Sequence, residues 1–284
     1  LHPGDRALLP ADGYGPTRAL AAEHLTPRGV HVDLVATQGL AHADLSGYDL
    51  VLVETPSNPG LRVADLADVA ARAHANGRRD GAGALVVVDN TLLTPLGQRP
   101  LELGADVVVA SDTKAVNGHT DALGGHVASR DPQVMARVRG WRTLAGGILG
   151  THEAWLIHRG LETLEVRFAR MCASAQAVAE LAAGHPAVRA VVYPGLADHP
   201  DAEVVARQMT AAGGLVGLRF ADAAAAERFI AAAQYVVPQT SFGGTHTAAE
   251  RRARWGDDVP DGFVRLSVGV EPTAELLADL ERAM

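Results

Sequence analysis

The residues that decide the fold are VVVASDTK, positions 107–114. Four apolar residues in a row predict a strand that is buried on both faces, as the strands of parallel sheets are. The strand runs directly into two hydroxyl-bearing residues and Lys114. A lysine there is costly to bury unless it is paired or used covalently, because burial favours the neutral amine that Schiff-base chemistry needs. The alternative is a lysine that extends into solvent at a strand end.

Two further predicted strands end in polar residues. Asp89 follows the apolar run Val86–Val88. A carboxylate at the C-terminal end of a central strand lies where open α/β sheets bind ligands, and it can hold a pyridine nitrogen protonated. Asn58 lies in the turn ETPSNPG (54–60), where two prolines restrict the backbone. Taken singly, the alternatives are an aspartate that caps a turn and an ordinary proline-rich turn.

The first half of the chain alternates short apolar runs with amphipathic stretches. A helix is predicted over Leu61–His74, which has one apolar face, and it is expected to stop at Asn76 and Gly77. The predicted strands are Leu50–Val53, Leu85–Val88 and Val107–Ala110. Strands separated by helices predict an α/β sheet with right-handed crossovers.

The pattern changes after residue 163, where a long helix is predicted over Thr163–Ala183. The elements predicted after it are strands at Val188–Val192, near Leu215–Phe220 and near Val264–Val268, a helix near Ala223–Ala233, and a final helix from Pro272. This arrangement predicts a second, smaller α+β domain, with the long helix as the joint.

The composition excludes several classes of protein. Hydrophobic residues make up 48% of the 284 residues, which is enough for a sizeable core, and the formal net charge is −8. No basic cluster marks a nucleic-acid partner, and the short run of Arg251, Arg252 and Arg254 is interpreted as a solvated helix face. No apolar run is long enough to cross a membrane, so no membrane partner is expected.

Cysteine and histidine usage gives two further expectations. The single cysteine, Cys172, excludes an intrachain disulfide framework and is interpreted as a core thiol, with a cytoplasmic setting as the default. The histidines form no recognised ligand motif, so no metal site is expected. The histidines considered are His119, His126, His152 and His158.

Together, the three strand-end motifs resemble those of the pyridoxal-phosphate (PLP) dependent Cys/Met-metabolism, or trans-sulfuration, enzymes. This family includes cystathionine γ-lyase, cystathionine γ-synthase, cystathionine β-lyase and methionine γ-lyase. The resemblance covers essentially the whole chain, and the run around Lys114 is its most specific part. The matching stretches are ETPSNP (54–59), VVDNT (87–91), GADVVVASDTK (104–114), GHTDALGG (118–125), RGLETL (159–164), YPGL (193–196), SFGG (241–244) and RLSVGVE (265–271).

The resemblance implies an aspartate-aminotransferase-like (fold type I) α/β protein. A PLP-binding large domain with a mostly parallel sheet would occupy residues 1–155, and a smaller α+β domain would occupy residues 156–284. The implied cofactor is pyridoxal 5'-phosphate, the implied substrate a small amino acid, and the implied assembly a homotetramer formed as a dimer of dimers. The family uses no catalytic metal.

The resemblance also implies roles for eight residues of this sequence. Four of them bind the cofactor through its reactive and ring atoms, two bind its phosphate, and two lie on the substrate side. Lys114 would hold the cofactor covalently and transfer protons, and Asp89 would pair with the ring nitrogen. Asn58 would lie near the phenolic oxygen and the substrate, Tyr14 would stack on the ring and transfer a proton, and Ser111 and Thr113 would bind the phosphate. Arg265 would bind the substrate carboxylate, and Ser241 would lie beside the lysine.

The activity that the resemblance favours is carbon–sulfur lyase chemistry, specifically the γ-elimination of cystathionine to cysteine, 2-oxobutanoate and ammonia. Cystathionine γ-synthase, which acts on O-acyl-homoserine, and a non-catalytic relative remain the alternatives. Pro16 stands where methionine γ-lyases carry a functional cysteine, which argues against that activity. Thr240 stands where many γ-lyases have glutamate, which leaves lyase, synthase and β-lyase open.

The resemblance finally implies two family segments ahead of the position of Gly4 and Asp5. One is a Ser-Ser-Gly-Met-Ala type loop whose backbone amides hold the phosphate, and the other is a Tyr-x-Arg segment that reaches a neighbouring subunit's phosphate. The sequence starts at Leu1, after both. The expectation is therefore a large domain whose N-terminal part is missing or not ordered, and weak PLP binding by a chain of this extent.

Overall fold

The computed structural model describes residues 1–77 and 83–284. These residues form two β-sheets with helices packed around them, one sheet within residues 6–129 and the other within residues 190–267. The long helix Leu164–Ala183 lies between the two sheets in sequence. The α/β class predicted from the alternating pattern is confirmed.

The first sheet has six strands in the order β2-β1-β3-β4-β5-β6. Neighbouring strands from β2 to β5 are parallel, and β6 is antiparallel to β5. The strands are β1 (Arg6–Pro10), β2 (His31–Val35), β3 (Leu50–Glu54), β4 (Leu85–Asp89), β5 (Val107–Ala110) and β6 (His126–Ser129). The three strands predicted from continuous apolar runs agree with the observed ones to within one residue.

The central strands of this sheet are covered on both faces, as their apolar runs predicted. Side chains alternate along β1, so that Ala7 and Leu9 pack into one cluster and Leu8 into another on the opposite face. Val86 and Val88 on β4 are completely buried. A sheet covered on both sides leaves its strand ends as the place where polar groups can gather.

Helix α2 begins later than its apolar periodicity predicted. The predicted start at Leu61 is wrong, because Leu61 has a φ of 54° and the residues up to Asp65 are not helical. The Asp65 carboxylate accepts a hydrogen bond from the Asp68 N–H and caps the helix there, and the chain leaves the helix at Gly77. The helices are α1 (Gly15–Leu20), α2 (Leu66–Asn76), α3 (Thr94–Gly97), α4 (Pro132–Ala145), α5 (Thr151–Leu161), α6 (Leu164–Ala183), α7 (Ala202–Gln208), α8 (Ala223–Ala232) and α9 (Thr273–Ala283).

The second sheet has the order β7-β8-β11-β10-β9. Its strands are β7 (Ala190–Val192), β8 (Leu215–Arg219), β9 (Val237–Pro238), β10 (Ala248–Arg251) and β11 (Phe263–Ser267). Strands β9 and β10 were not predicted, because β9 is two residues long and β10 (AAER) has no β-branched or aromatic residue. The helices around this sheet match their predictions closely, with α8 and α9 within one residue of the expected bounds.

Polar contacts join residues that follow the first sheet's strands to α7 and the loop before it. The Arg62 guanidinium makes two hydrogen bonds of 2.7 Å to the Asp201 carboxylate. The Gln208 side chain on α7 donates to the Gln98 side-chain oxygen at 2.8 Å and accepts from the Leu66 N–H. These bonds, part-buried at Arg62 and buried at Gln208, anchor α7 to the residues that follow the strands of the first sheet.

The arginine run at 251–254 is not the solvated helix face that was predicted. Arg251 ends β10 and forms an ion pair with Glu227, Arg252 forms one with Asp257, and Arg254 forms one with Glu250. A 3₁₀ turn, Arg252–Trp255, replaces the predicted helix because Gly256 adopts a φ of 80° and ends it after four residues.

Cys172 is partly buried, and burial raises the pKa of its thiol to about 11.

Within residues 1–77 and 83–284, no helix is both long enough and apolar enough to span a membrane. The same residues contain no group of three or more His, Cys, Asp or Glu side chains arranged to hold a metal ion.

Candidate active site

A cleft of about 390 Å³ opens at the carboxyl ends of β3, β4 and β5. Parallel strands end at one edge of a sheet, so the polar residues that follow them meet there. The structure brings all eight residues predicted for the site to the walls of this cleft. They are Tyr14, Asn58, Asp89, Ser111, Thr113, Lys114, Ser241 and Arg265.

Lys114 is the only lysine among the 284 residues. Its Nζ atom lies 3.0 Å from the Ser241 hydroxyl oxygen and 4.9 Å from the centre of the Phe242 ring. Among the described residues, no carboxylate pairs with it. Burial, together with the positive charge of Arg265, lowers the pKa of the Lys114 ammonium, which favours the neutral nucleophilic amine.

The backbone that directly follows Lys114 is held by two close contacts. The buried guanidinium of Arg167, on α6, donates to the Ala115 and Gly160 carbonyl oxygens at 2.7 Å each. Gly243 approaches so closely that a Cβ atom there would lie 2.7 Å from the Ala115 nitrogen, and its φ of 77° also requires glycine. The lysine is therefore presented from a rigid turn rather than from a loose loop.

Asp89 lies at the end of β4 and has no cationic partner in the described part of the chain. Its Oδ1 atom accepts hydrogen bonds from the Thr91 hydroxyl (2.6 Å) and the Thr91 N–H (3.0 Å). The Thr91 hydroxyl oxygen in turn accepts from the Ser111 N–H at 2.8 Å, which ties the β4 and β5 ends together. Burial raises the pKa of Asp89, because a carboxylate that has lost its water is destabilised. A protonated ring nitrogen beside Asp89 would stabilise the carboxylate in place of that water.

Glu54 is a buried carboxyl group in the cleft to which the sequence assigned no role. It lies beside Asp89, because the parallel register pairs Glu54 on β3 with Asp89 on β4. Its Oε2 atom accepts a hydrogen bond of 2.6 Å from the Tyr14 N–H, and thereby fixes the turn that carries the Tyr14 ring. Burial and the neighbouring Asp89 charge raise the pKa of Glu54 to about 8.

This raised pKa makes the folded state sensitive to pH. Between about pH 4.5 and 8 the unfolded chain releases the Glu54 proton while the native protein retains it, so the free energy of unfolding falls as the pH rises. Glu54→Gln keeps the shape of the side chain but cannot titrate. In this variant the decrease in the free energy of unfolding over that pH range is expected to be smaller than in the wild type by a few kcal/mol, at about 1.4 kcal/mol per pKa unit. Urea unfolding at several pH values measures it.

Glu102→Gln is the matched control for this prediction, because the Glu102 side chain is 56% exposed in the 3₁₀ turn Pro100–Glu102 and does not border the cleft. Its stability is expected to follow the wild-type pH dependence. Glu54→Gln and wild-type curves that run parallel from pH 5 to pH 8 would show that Glu54 does not titrate in this range.

Arg265, on β11, closes the cleft from the side of the second sheet. Its guanidinium is 3% exposed and donates to the Asn58 side-chain oxygen at 2.7 Å and to the Thr240 carbonyl oxygen. Both partners are uncharged. Burial is the main cause that lowers the pKa of Arg265 to about 10, and the charge of Arg252 is the second. Arg265 is therefore a buried cation that has no hydrogen-bonded anion among the described residues.

The two hydroxyls predicted to bind phosphate differ in their surroundings. The Thr113 hydroxyl is hydrogen-bonded to the Gly124 backbone, accepting from its N–H at 3.1 Å and donating to its carbonyl at 3.3 Å. Within the described residues, the Ser111 hydroxyl has no hydrogen-bond partner, so it remains available to a ligand. Tyr14 is 53% exposed at the mouth of the cleft.

The charges in the cleft fit the cofactor that the resemblance implies. Lys114 offers an amine of lowered pKa for its aldehyde, and Asp89 offers a carboxylate without a cation for its ring nitrogen. Arg265 offers a guanidinium without an anion for an amino-acid carboxylate. Each of these groups is buried or half-buried and lacks the partner of opposite charge that a structural role would supply.

The sequence matches a known protein family along its whole length. A family model described as "Cys/Met metabolism PLP-dependent enzyme" matches residues 1–284, the whole chain. A Streptomyces coelicolor protein provisionally named cystathionine gamma-lyase is 48% identical over 286 residues, which cover 100% of this chain and 71% of that protein. The L-methionine gamma-lyase of Pseudomonas deceptionensis is 39% identical and covers 100% of this chain and 74% of its own length.

Solved structures agree with this. The crystal structure of metB from Corynebacterium glutamicum superimposes with a TM-score of 0.92 at 36% identity, covering 100% of this chain and 75% of that one. Apo CalE6, a methionine gamma lyase from Micromonospora echinospora, gives a TM-score of 0.91 at 38% identity, covering 100% and 76%. The expected fold type I α/β architecture is thereby confirmed.

Proposed function

Because the chain belongs to the Cys/Met-metabolism family of PLP-dependent enzymes, we propose that it is a carbon–sulfur lyase that acts on cystathionine by γ-elimination. The observation that carries the proposal is the cleft in which Lys114, Asp89 and Arg265 meet, each without a partner of opposite charge in the described residues. The 48% identity to the Streptomyces coelicolor relative supports γ-lyase as the specific activity.

The cofactor, when bound, supplies an aldehyde for amines and an electron sink for the electrons released when a proton leaves the substrate Cα. In the proposed role, the Lys114 amine removes that proton, and its lowered pKa favours the neutral form that can act as a base. Ser241, 3.0 Å away, orients the amine. The same amine can deliver the proton again at a later position on the substrate side chain.

The neighbouring groups orient the reactants in this proposal. Asp89 holds a proton at the ring nitrogen, and Thr91 keeps the Asp89 carboxylate in place through two hydrogen bonds. Arg265 binds the substrate α-carboxylate, for which a guanidinium offers two parallel donors. Asn58 fixes Arg265 from the turn after β3. Tyr14 closes the mouth of the cleft, and Ser111 and Thr113 take the phosphate.

The alternative within the same family is cystathionine γ-synthase, which breaks the Cγ–O bond of an O-acyl-homoserine, releases the carboxylate and adds a thiol at the same carbon. The mycobacterial cystathionine gamma-synthase is 39% identical to this chain, which supports keeping this alternative. The other alternative is a non-catalytic relative that keeps the fold but cannot hold the cofactor because it lacks the phosphate loop. The charges of Lys114, Asp89 and Arg265 in the cleft, unpaired among the described residues, argue against it.

One assay separates these functions. The protein, supplied with PLP, is given cystathionine alone, or O-succinylhomoserine with cysteine. A γ-lyase is expected to release 2-oxobutanoate, cysteine and ammonia from cystathionine faster than it makes cystathionine. Dominant synthesis of cystathionine would assign the synthase, pyruvate and homocysteine as products would assign a β-lyase, and no product from either mixture would contradict the proposed function.

We also propose that the chain assembles into a homotetramer. The segment from α4 to α5 carries large apolar side chains in solvent, including Trp141 (72% exposed), Leu144 (88%) and Ile148 (66%). Exposed apolar surface of this kind is typical of a subunit interface. Light scattering of the purified protein is expected to give four times the chain mass, and a monomer at micromolar concentration would contradict the assembly.

A further inference from the structure

The cleft contains a second guanidinium group, Arg252, to which no motif assigned a role. Strands β10 and β11 are antiparallel, and their register places Glu250 opposite Arg265. Arg252 is the first residue of the 3₁₀ turn that follows β10, two residues after Glu250. Both arginines border the cleft that contains Lys114.

The hydrogen bonds of Arg252 leave most of its donors unused. Its Nε atom donates to the Asp257 carboxylate at 2.6 Å, which fixes the plane of the guanidinium. In the described ranges, 1–77 and 83–284, neither Nη atom has a hydrogen-bond partner. The side chain is 16% exposed and lines the cleft, so these donors are available to a ligand that enters it. A guanidinium that one carboxylate holds in place, with two unpaired nitrogen donors at the border of a cleft, offers a binding site for an anionic acceptor.

The charges around this end of the cleft favour an anion. Arg252 is close enough to Arg265 to contribute to the lowering of its pKa. The nearby acids are already engaged, since Asp257 pairs with Arg252 and Glu250 pairs with Arg254. Glu54, whose pKa is about 8, is largely protonated at neutral pH. The guanidinium groups of Arg252 and Arg265 can therefore each pair with one carboxylate of a bound ligand.

We propose that Arg252 binds a second carboxylate, at the far end of the substrate side chain, while Arg265 binds the α-carboxylate. The inference rests on the proposed function, and it defines the substrate class as amino-acid thioethers or esters with an acidic group at both ends. Cystathionine and O-succinylhomoserine belong to that class, whereas methionine and O-acetylhomoserine do not. Arg252 is then the residue that determines specificity between the two groups.

Two matched probes test the inference, S-(2-carboxyethyl)homocysteine and its isosteric carboxamide. For the wild-type holoenzyme, kcat/KM for thiol release is expected to favour the carboxylate by about 10- to 100-fold, as a hydrogen bond to a charged group does. In Arg252→Gln this ratio is expected to fall below about threefold. The second readout does not need turnover: calorimetric Kd values on borohydride-reduced holoenzyme are expected to show the same change in ratio.

Two control variants complete the test. Arg251→Gln removes a neighbouring guanidinium that pairs with Glu227 and does not border the cleft, and it is expected to keep the wild-type ratio. Arg265→Lys is expected to weaken both probes by the same factor, because both carry an α-carboxylate. An Arg252→Gln variant that keeps the wild-type ratio, or that weakens both probes equally, would overturn the inference.

The second of those outcomes would mean that both arginines bind the one α-carboxylate. The proposed function is tested separately, by borohydride labelling of the wild-type protein before any probe is added. If borohydride does not fix the cofactor to Lys114 in the wild-type protein, the proposed function falls, and the inference falls with it. A labelled protein that shows no preference for the carboxylate probe overturns the inference alone.

Discussion

Lys114→Ala is expected to lower the turnover of cystathionine by about 10³-fold or more, the range associated with loss of a general base together with a covalent attachment point. No other lysine in the 284 residues can take its place. The Ser241 hydroxyl, 3.0 Å from Nζ, cannot act as a base of comparable strength. Steady-state release of 2-oxobutanoate measures the loss.

The cause of that loss can be distinguished from misfolding by chemical rescue. A small alkylamine added to Lys114→Ala is expected to restore part of the rate, because it supplies the missing amine to an otherwise intact cleft. Ser241→Ala serves as the matched control, since it loses one hydrogen bond to Lys114 but keeps the amine. Turnover by Lys114→Ala within tenfold of the wild-type rate would contradict the role of Lys114.

Asp89→Asn is expected to reduce kcat by about 10²–10³-fold, which is the usual cost of removing one electrostatic stabiliser from an active site. Asparagine can still accept the Thr91 hydrogen bonds, but it has no charge with which to hold a proton on a ring nitrogen. Because the shape is retained, the cofactor should still be reducible onto Lys114. The measurement is kcat alongside the extent of borohydride labelling.

Asp112→Asn provides the comparison for Asp89→Asn. Asp112 lies between Ser111 and Thr113, but its carboxylate accepts from the ring nitrogen of His126 at 2.6 Å and does not border the cleft. Its effect on kcat is expected to be much smaller. Equal losses in the two variants would indicate that negative charge near the sheet edge, rather than Asp89 itself, supports the reaction.

The strand-end residues could be predicted from sequence because sheet burial and chain direction determine where they lie. Continuous apolar runs such as VVVA at 107–110 can be satisfied only inside a sheet covered on both faces. Asp89 directly follows one such run and Lys114 lies a few residues after another, so parallel pairing of β4 with β5 brings them to one edge. The bounds of α6 could be predicted for a similar reason, since its apolar stripe continues over twenty residues.

Other parts of the site depend on contacts that sequence patterns do not encode. The role of Glu54 follows from its register with Asp89 and from a hydrogen bond to Tyr14, forty residues away in the chain. Arg252 resembled a surface charge because its partner Asp257 and its place in the cleft depend on a short turn after β10. A simpler signal was available for Lys114, which is the one lysine in the sequence.

The central claim is that the Lys114 amine holds the cofactor, and borohydride reduction of the PLP-loaded protein tests it most directly. Mass spectrometry of a proteolytic digest should locate one pyridoxyl group per chain, on the peptide that contains Lys114, and Lys114→Ala treated in the same way should remain unlabelled. An unlabelled wild-type protein, or a pyridoxyl group that persists in Lys114→Ala, would contradict the account.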